Sequence, residues 1–182
     1  MIYVAKEFAV AFSTVRKNTL QIAEDIPEDK YAFRATPDVQ SVGEDLAHIA
    51  CATWWQRQCH GVDKKTFVTF EDLGRYFGHA AAMEKELTTK AQIVDALRTN
   101  GDDFTRFLSE LTNEQLAEHV GFPAPVLPPQ KTRFEMLLGV KEHEMHHRAK
   151  LMLMQRLLGM VPHLTKRRQQ TFSQPAPAAP RG

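Results

Sequence analysis

Three of the chain's eight histidines lie in "KEHEMHHRAKLML", residues 141–153, which contains the string His-Glu-x-x-His. On a helix His143 and His147 share one face, with Cβ atoms about 5–6 Å apart. Both imidazoles could then bind one ion at about 2.0–2.1 Å. A hydrogen-bonded pair of core histidines fits the same spacing equally well. His146 falls on a more polar side of the helix, and a pairing of His143 with His146 stays open.

The string His-Glu-x-x-His is also found in zinc proteases, but the rest of their pattern is missing. Where one protease class has a glycine and a third histidine after the second histidine, this chain has Lys150 and Leu153. The other common class needs a later carboxylate, and no Asp or Glu follows Glu144. The spacing of Glu144 and Arg148 predicts an ion pair on the helix surface. The sequence therefore argues against a protease.

A third metal ligand must come from outside this stretch. His48 is the best upstream candidate because it lies in the middle of a predicted helix, although it is off the centre of that helix's apolar stripe. His163, just past the end of the last long helix, is an alternative. The remaining candidates stand at helix ends or beside loops, where we expect them to be hydrated: His60, His79 and His119.

Hydrophobic spacing predicts four long helices, and three of them begin with a Ser/Thr-x-x-Glu/Gln capping box. The predicted helices run from about 3 to 25, from Ser41 to about 61, from Thr89 to about 111, and from Thr132 to about 158. Strand signals are weak. The sequence predicts an all-α fold, a four-helix bundle.

The segments between these helices differ in character. Residues 61–87 form a long connector, predicted as a packed loop, with a short helix or a cover over a site as alternatives. The stretch "GFPAPVLPPQ" has too many prolines for a helix. We expect one domain over residues 1–164 and a disordered tail, basic and then rich in Pro and Ala, over residues 165–182.

Composition excludes several functional classes. The formal charge of +1 lacks the basic excess that nucleic-acid binding requires. No apolar run is long enough to cross a membrane, so we expect a soluble, cytoplasmic protein. Cys51 and Cys59 are predicted on one helix, about 12 Å apart, which rules out a disulfide between them.

Two stretches together resemble a known family. "FRATPDVQSVGEDLAHIA" looks like the second-helix signature, and "HEMHHRAKLMLMQRLLGMVP" like the last-helix signature, of the DinB/YfiT-like superfamily. The resemblance implies a four-helix bundle in which His48, His143 and His147 hold a divalent metal ion. It also makes a homodimer an expectation. Where the family often has Gly-Gln after the arginine, this chain has Ala149 and Lys150.

An open site with imidazole ligands favours a metal-dependent enzyme. The resemblance implies a thiol S-transferase or a related hydrolase acting on a small molecule, which could itself be a thiol. Zinc is the expected ion, with nickel, iron and manganese as alternatives. No other catalytic residue is assigned. Glu44 could orient His48, but its capping box explains it better.

Two other functions remain open from the sequence. One is a stress-associated bundle that binds a metal ion or a small ligand without turnover. The other is a helical interaction domain in which all three histidines are structural.

Overall fold

The computed structural model describes residues 4–173, and they are mainly helical. The long helices are α1 (Ala5–Asp25), α2 (Val42–Arg57), α3 (Phe70–Glu86), α4 (Lys90–Glu110) and α6 (Arg133–Leu157). The shorter elements are the helices α5 (Asn113–Ala117) and α7 (His163–Ser173), the strands β1 (His119–Gly121) and β2 (Gln130–Thr132), a 3-10 turn (Glu28–Lys30) and a π-helical turn (Gln58–Val62).

Four helices, α1, α2, α4 and α6, form the bundle predicted from the sequence. α1 packs on α4 and α6, and α2 packs on the same two helices from the other side. One half of the core is built around α2, and the other around the phenylalanines of α1 and α4. The bundle therefore carries α2 and α6, the helices with the candidate ligands, side by side.

The predicted helix starts are confirmed. Reciprocal capping boxes open α2 at Ser41, α4 at Thr89 and α6 at Thr132. α6 stops at Gly159, whose φ of +76° lies in the left-handed region that glycine adopts without strain. These local signals set the ends of the helices that carry the histidines.

The prediction of a packed loop over residues 61–87 is wrong, because most of this segment is the 17-residue helix α3. Thr69 and Asp72 form another reciprocal capping box at its start. α3 packs mainly on α2, outside the four-helix core. The long connector between the second and third bundle helices is therefore a fifth long helix.

Two smaller findings concern the proline-rich stretch and the C-terminal end. The proline-rich segment is not helical, as predicted, and it joins β1 to β2 in a small antiparallel pair. The expected disordered tail begins instead as a helix, since α7 extends to Ser173, while residues 174–182 lie outside the described part. None of the helices described is long and apolar enough to cross a membrane.

The predicted surface pair of Glu144 with Arg148 is wrong. Glu144 is buried and binds Arg16 of α1, whose Nε and Nη2 donate to its carboxylate at 2.9–3.0 Å. The two side chains are only 4% and 2% exposed. The same guanidinium also donates to the carbonyl oxygens of Leu97 at 2.8 Å and Ile49 at 3.3 Å. Arg16 therefore links α1, α2, α4 and α6.

Gly101 makes room for the Arg16 side chain. A Cβ atom at Gly101 would lie 2.7 Å from the Cγ atom of Arg16, closer than carbon atoms that are not bonded to each other can approach. A glycine inside a helix costs about 0.5–1 kcal/mol relative to alanine. In α4 that cost is offset because the glycine admits the Arg16 side chain.

Removing the charge of Glu144 should destabilise the protein strongly. Glu144→Gln leaves the buried Arg16 cation without its counter-ion, and we expect a loss of about 3–5 kcal/mol in the free energy of unfolding. Glu24→Gln is the matched control, because it breaks an exposed pair with Arg98 (3.3 Å) and should cost less than about 1 kcal/mol. Urea titrations of the metal-free variants measure both values, and equal losses would contradict the central role of Arg16.

Candidate metal centre

The three predicted ligands come together. Their ligand atoms lie within 4.8 Å of one another, and His48 comes from α2 while His143 and His147 come from α6. The Nε2 atoms of His48 and His143 are 3.0 Å apart. Two nitrogens bound to one ion at about 2.0–2.1 Å lie about 3 Å apart when the angle between them is near 90°. The cluster therefore fits a shared metal ion.

Carboxylates orient two of the imidazoles. Glu84 Oε1 lies 2.9 Å from Nδ1 of His48, and Asp45 Oδ1 lies 2.6 Å from Nδ1 of His147. An ionised carboxylate only accepts hydrogen bonds, so each Nδ1 must carry the hydrogen. In the neutral rings Nε2 then has a free lone pair facing the cluster. This carboxylate–histidine arrangement is common behind metal-binding histidines.

Asp45 is fully buried and is shared between His147 and Lys150. Lys150 Nζ lies 2.5 Å from Asp45 Oδ1 and 3.2 Å from Gln40 Oε1. The ammonium group compensates the buried negative charge, which would otherwise be costly. Lys150, the residue that departs from the family pattern, thus holds the carboxylate that orients a ligand.

His143 is held in its neutral form. Burial, together with the nearby His147 and His48, lowers the pKa of His143 from 6.5 to about 4, although Asp45 opposes the shift. A neutral imidazole is the form that binds a metal ion. At neutral pH this side chain is therefore ready to act as a ligand.

A cavity of about 570 Å³ opens beside the cluster and lies between α2, α3 and α6. Its polar end is formed by His48, His143 and Glu84, and apart from Gln56 the rest is lined by apolar residues such as Trp55 and Val140. Pockets that bind small molecules are mostly apolar with a few convergent polar groups. The cavity therefore suits a small organic molecule next to the histidine cluster.

The other histidines lie outside the cluster. His163, the alternative ligand, contacts Asn18 and lies 4.0 Å from Asp25. His146 is exposed on α6, next to His147, so the open pairing of His143 with His146 is not the one formed. His79, as expected, is exposed, and it stacks on a tryptophan; His119 is exposed as well.

His60 is not hydrated as predicted, because it is 4% exposed. Arg133 Nη1 lies 2.7 Å from its Nδ1, so that atom accepts the hydrogen bond. Burial and the Arg133 charge lower the pKa of His60 from 6.5 to about 3. His60 thus joins the π-helical turn to α6 through Arg133, away from the three-histidine cluster.

Two residues of the site, Asp45 and Glu84, were not predicted from the sequence. Asp45 lies three residues before His48 on α2, and no local signal distinguishes it from Glu44. Glu44 instead accepts from the Ser41 backbone N–H and pairs with Arg34, which confirms its capping role. Glu84 was missed because the segment that forms α3 was predicted to be a loop. Carboxylates commonly support metal-binding histidines, so the expected ligands were themselves a reason to look for such partners.

The fold and the three-histidine cluster define a helical-bundle protein with a candidate metal centre. The profile of the DinB superfamily matches residues 11–151, which is most of the chain. The chain belongs to the DinB superfamily, as the two sequence signatures indicated.

Two solved structures from Bacillus subtilis share the fold. The DinB-like protein YjoA is 20% identical, covers 85% of this chain and 94% of its own, and superposes with a TM-score of 0.64. YfiT is 16% identical, covers 86% of this chain and 88% of its own, and gives a TM-score of 0.63. YfiT is described as a probable metal-dependent hydrolase with an unusual four-helix bundle topology. None of the curated proteins matches this chain.

Loss of the Asp45 charge should weaken metal binding without removing a ligand. Carboxylates behind metal-binding histidines are worth about 10–100-fold in affinity, so we expect Asp45→Asn to weaken zinc binding by about that factor. Glu44→Gln is the matched control, because the neighbouring carboxylate caps α2 and does not contact a histidine ligand. Competition with a chromophoric chelator measures both affinities, and a similar affinity for both variants would contradict the role of Asp45.

Acidification should destabilise the metal-free protein partly through His60. Its folded pKa of about 3 lies below the ordinary value of 6.5, so the unfolded chain binds a proton first as the pH falls. The stabilisation is therefore complete above about pH 6.5 and is lost progressively toward pH 3. In urea titrations between pH 7 and pH 5, His60→Gln should lose less stability than the wild type. Exposed His119→Gln should keep the wild-type slope; a wild-type slope in His60→Gln would contradict this assignment.

Proposed function

We propose that this protein is an enzyme that depends on a divalent metal ion held by His48, His143 and His147. The observation that carries the proposal is the three-imidazole cluster, two of whose members, His48 and His143, line one end of a mainly apolar cavity. Two of them are already oriented by carboxylates through Nδ1, which leaves Nε2 for the ion. A structural site is almost always closed by four protein ligands, whereas this cluster offers three.

The metal ion is expected to be zinc, and when bound it supplies a Lewis acid that lowers the pKa of a coordinated water or thiol. The three protein ligands leave positions open for such a group. Glu84 lines the cavity and is within hydrogen-bonding distance of His48. It holds His48 in position through Nδ1 and increases the basicity of that ligand.

Two reactions fit this arrangement. One is transfer of a low-molecular-weight thiol to a small electrophile, and the other is hydrolysis of a small substrate. The description of YfiT as a probable metal-dependent hydrolase supports the second, and an all-imidazole site beside an apolar cavity supports either. Thiol transfer is the more specific of the two proposals, and the family resemblance implied either this reaction or a related hydrolysis. The homodimer and the cytoplasmic location remain predictions from the sequence.

The deciding test is the metal content of protein purified without a nickel column. Elemental analysis of the wild type should give about one metal ion per chain, and the ion should be lost in His48→Ala, His143→Ala and His147→Ala, because each removes one of three ligands. His146→Ala is the matched control, since His146 is exposed on the same helix and should retain the ion.

Activity is then measured with thiol and electrophile pairs and with ester and amide substrates. Turnover should disappear with a chelator and return with zinc, and Glu84→Gln should weaken zinc binding by about 10–100-fold, because it removes the carboxylate that orients His48. A wild type without metal after reloading would refute the proposal. Bound metal with ligand binding but no product from any pair would favour the non-catalytic alternative.

A further inference from the structure

The cavity beside the histidine cluster is elongated, and its two ends differ in chemistry. α2 contributes His48 at one end and Gln56 at the other, eight residues apart, so the ends are separated by about 12 Å along the helix. α6 contributes His143 and Met136, seven residues apart, in the opposite order. α3 likewise contributes Glu84 at the histidine end and Phe77 at the other, seven residues apart. Each of the three helices therefore places an ionisable side chain at the same end of the cavity.

The middle of the cavity is apolar and open. Ala52 of α2 and Val140 of α6 lie between the two ends, together with Gly139. A Cβ atom added at Gly139 would meet no other atom within 4 Å. Trp55 and Phe77 form an edge-to-face pair with centroids 5.4 Å apart on the wall of the cavity. This section can hold a flat apolar group between the ends.

Gln56 lacks a hydrogen-bond partner at the far end. It is only 5% exposed, and its Oε1 atom is buried with no partner among the described residues. A buried acceptor without a partner is unfavourable. Because Gln56 lines the cavity and the last torsion of a glutamine side chain is soft, a small turn of its amide brings Oε1 to the cavity surface, where a ligand that donates a hydrogen bond supplies the missing partner. A carboxamide is complementary because it can donate to Oε1 and accept from Nε2.

We propose that the cavity selects a small molecule with a metal-binding group at one end, an apolar ring in the middle and an amide group at the other end, bound by Gln56. This inference rests on the proposed function, since the first end is anchored by the metal ion. Gln56 is the residue that sets specificity, and it does not contact the reacting atoms.

Two thiols of the same size test this proposal on the zinc-loaded protein. The first probe, para-(mercaptomethyl)benzamide, carries the amide, and the second, para-isopropylbenzyl mercaptan, carries an isopropyl group of the same shape in its place. Isothermal titration calorimetry should show about tenfold tighter binding of the amide probe to the wild type. Gln56→Leu should abolish that preference, because leucine fills a similar volume without a hydrogen-bonding group.

Matched glycine variants test the path between the two ends. Gly139→Leu should weaken both probes by about tenfold or more, because the new side chain enters the open middle of the cavity. Gly74→Leu is the control, since a Cβ atom there also meets nothing within 4 Å and Gly74 is exposed on α3, away from the cavity lining. Circular dichroism and zinc content confirm that every variant is folded and loaded.

The outcomes separate this inference from the function on which it rests. A wild type that binds no metal, or probe binding that persists in His143→Ala, would refute the metal-dependent function itself. Normal zinc content with equal affinity for both probes, or with no binding of either probe, would overturn the assignment of Gln56 alone. A preference that survives in Gln56→Leu would also overturn it.

Discussion

The buried pairing of Arg16 with Glu144 is the interaction on which the site depends. Glu144 directly follows His143, and the carbonyl that Arg16 also engages belongs to Ile49, which directly follows His48. The charged pair therefore lies immediately behind the histidine cluster and fixes both α2 and α6 relative to α1. Because a buried charge without its partner is strongly unfavourable, α6 cannot rotate about its axis without losing this pairing.

Buried or partly buried charged groups also hold the histidines of the site. Asp45 is buried, but it is compensated by Lys150 and by the N–H group of His147. Glu84 supports His48 from a helix outside the four-helix core. Each imidazole that is held by a carboxylate loses freedom of rotation before any metal arrives. The site is thus preorganised by electrostatic contacts whose partners come from different helices.

Local patterns predicted the parts of the structure that depend on neighbouring residues. The capping boxes at Ser41, Thr89 and Thr132 marked the starts of three helices, and the spacing of His143 and His147 placed both on one face. The mid-helix position of His48 made it the best upstream candidate, and the family signature then supported this choice, which periodicity alone did not make. These successes all rest on short-range geometry or on a known motif.

Contacts between distant residues could not be read in the same way. Glu144 was assigned to Arg148 because that arginine lies one turn away, whereas its partner Arg16 is 128 residues distant in the chain. The carboxylate of Glu84 was missed because the capping box at Thr69 was overlooked in a segment of mixed aromatic and charged residues. The burial of His60 likewise depends on Arg133, which arrives from another helix.

α3 lies outside the four-helix bundle and forms one wall of the cavity. α3 packs mainly on α2, yet it supplies Phe77 and Glu84 to the cavity. Substitutions of Phe77 can therefore change which molecules fit, while the four-helix bundle and its three histidines keep their arrangement. A protein built in this way can change the shape of its cavity through one peripheral helix without altering the bundle that carries its histidine cluster.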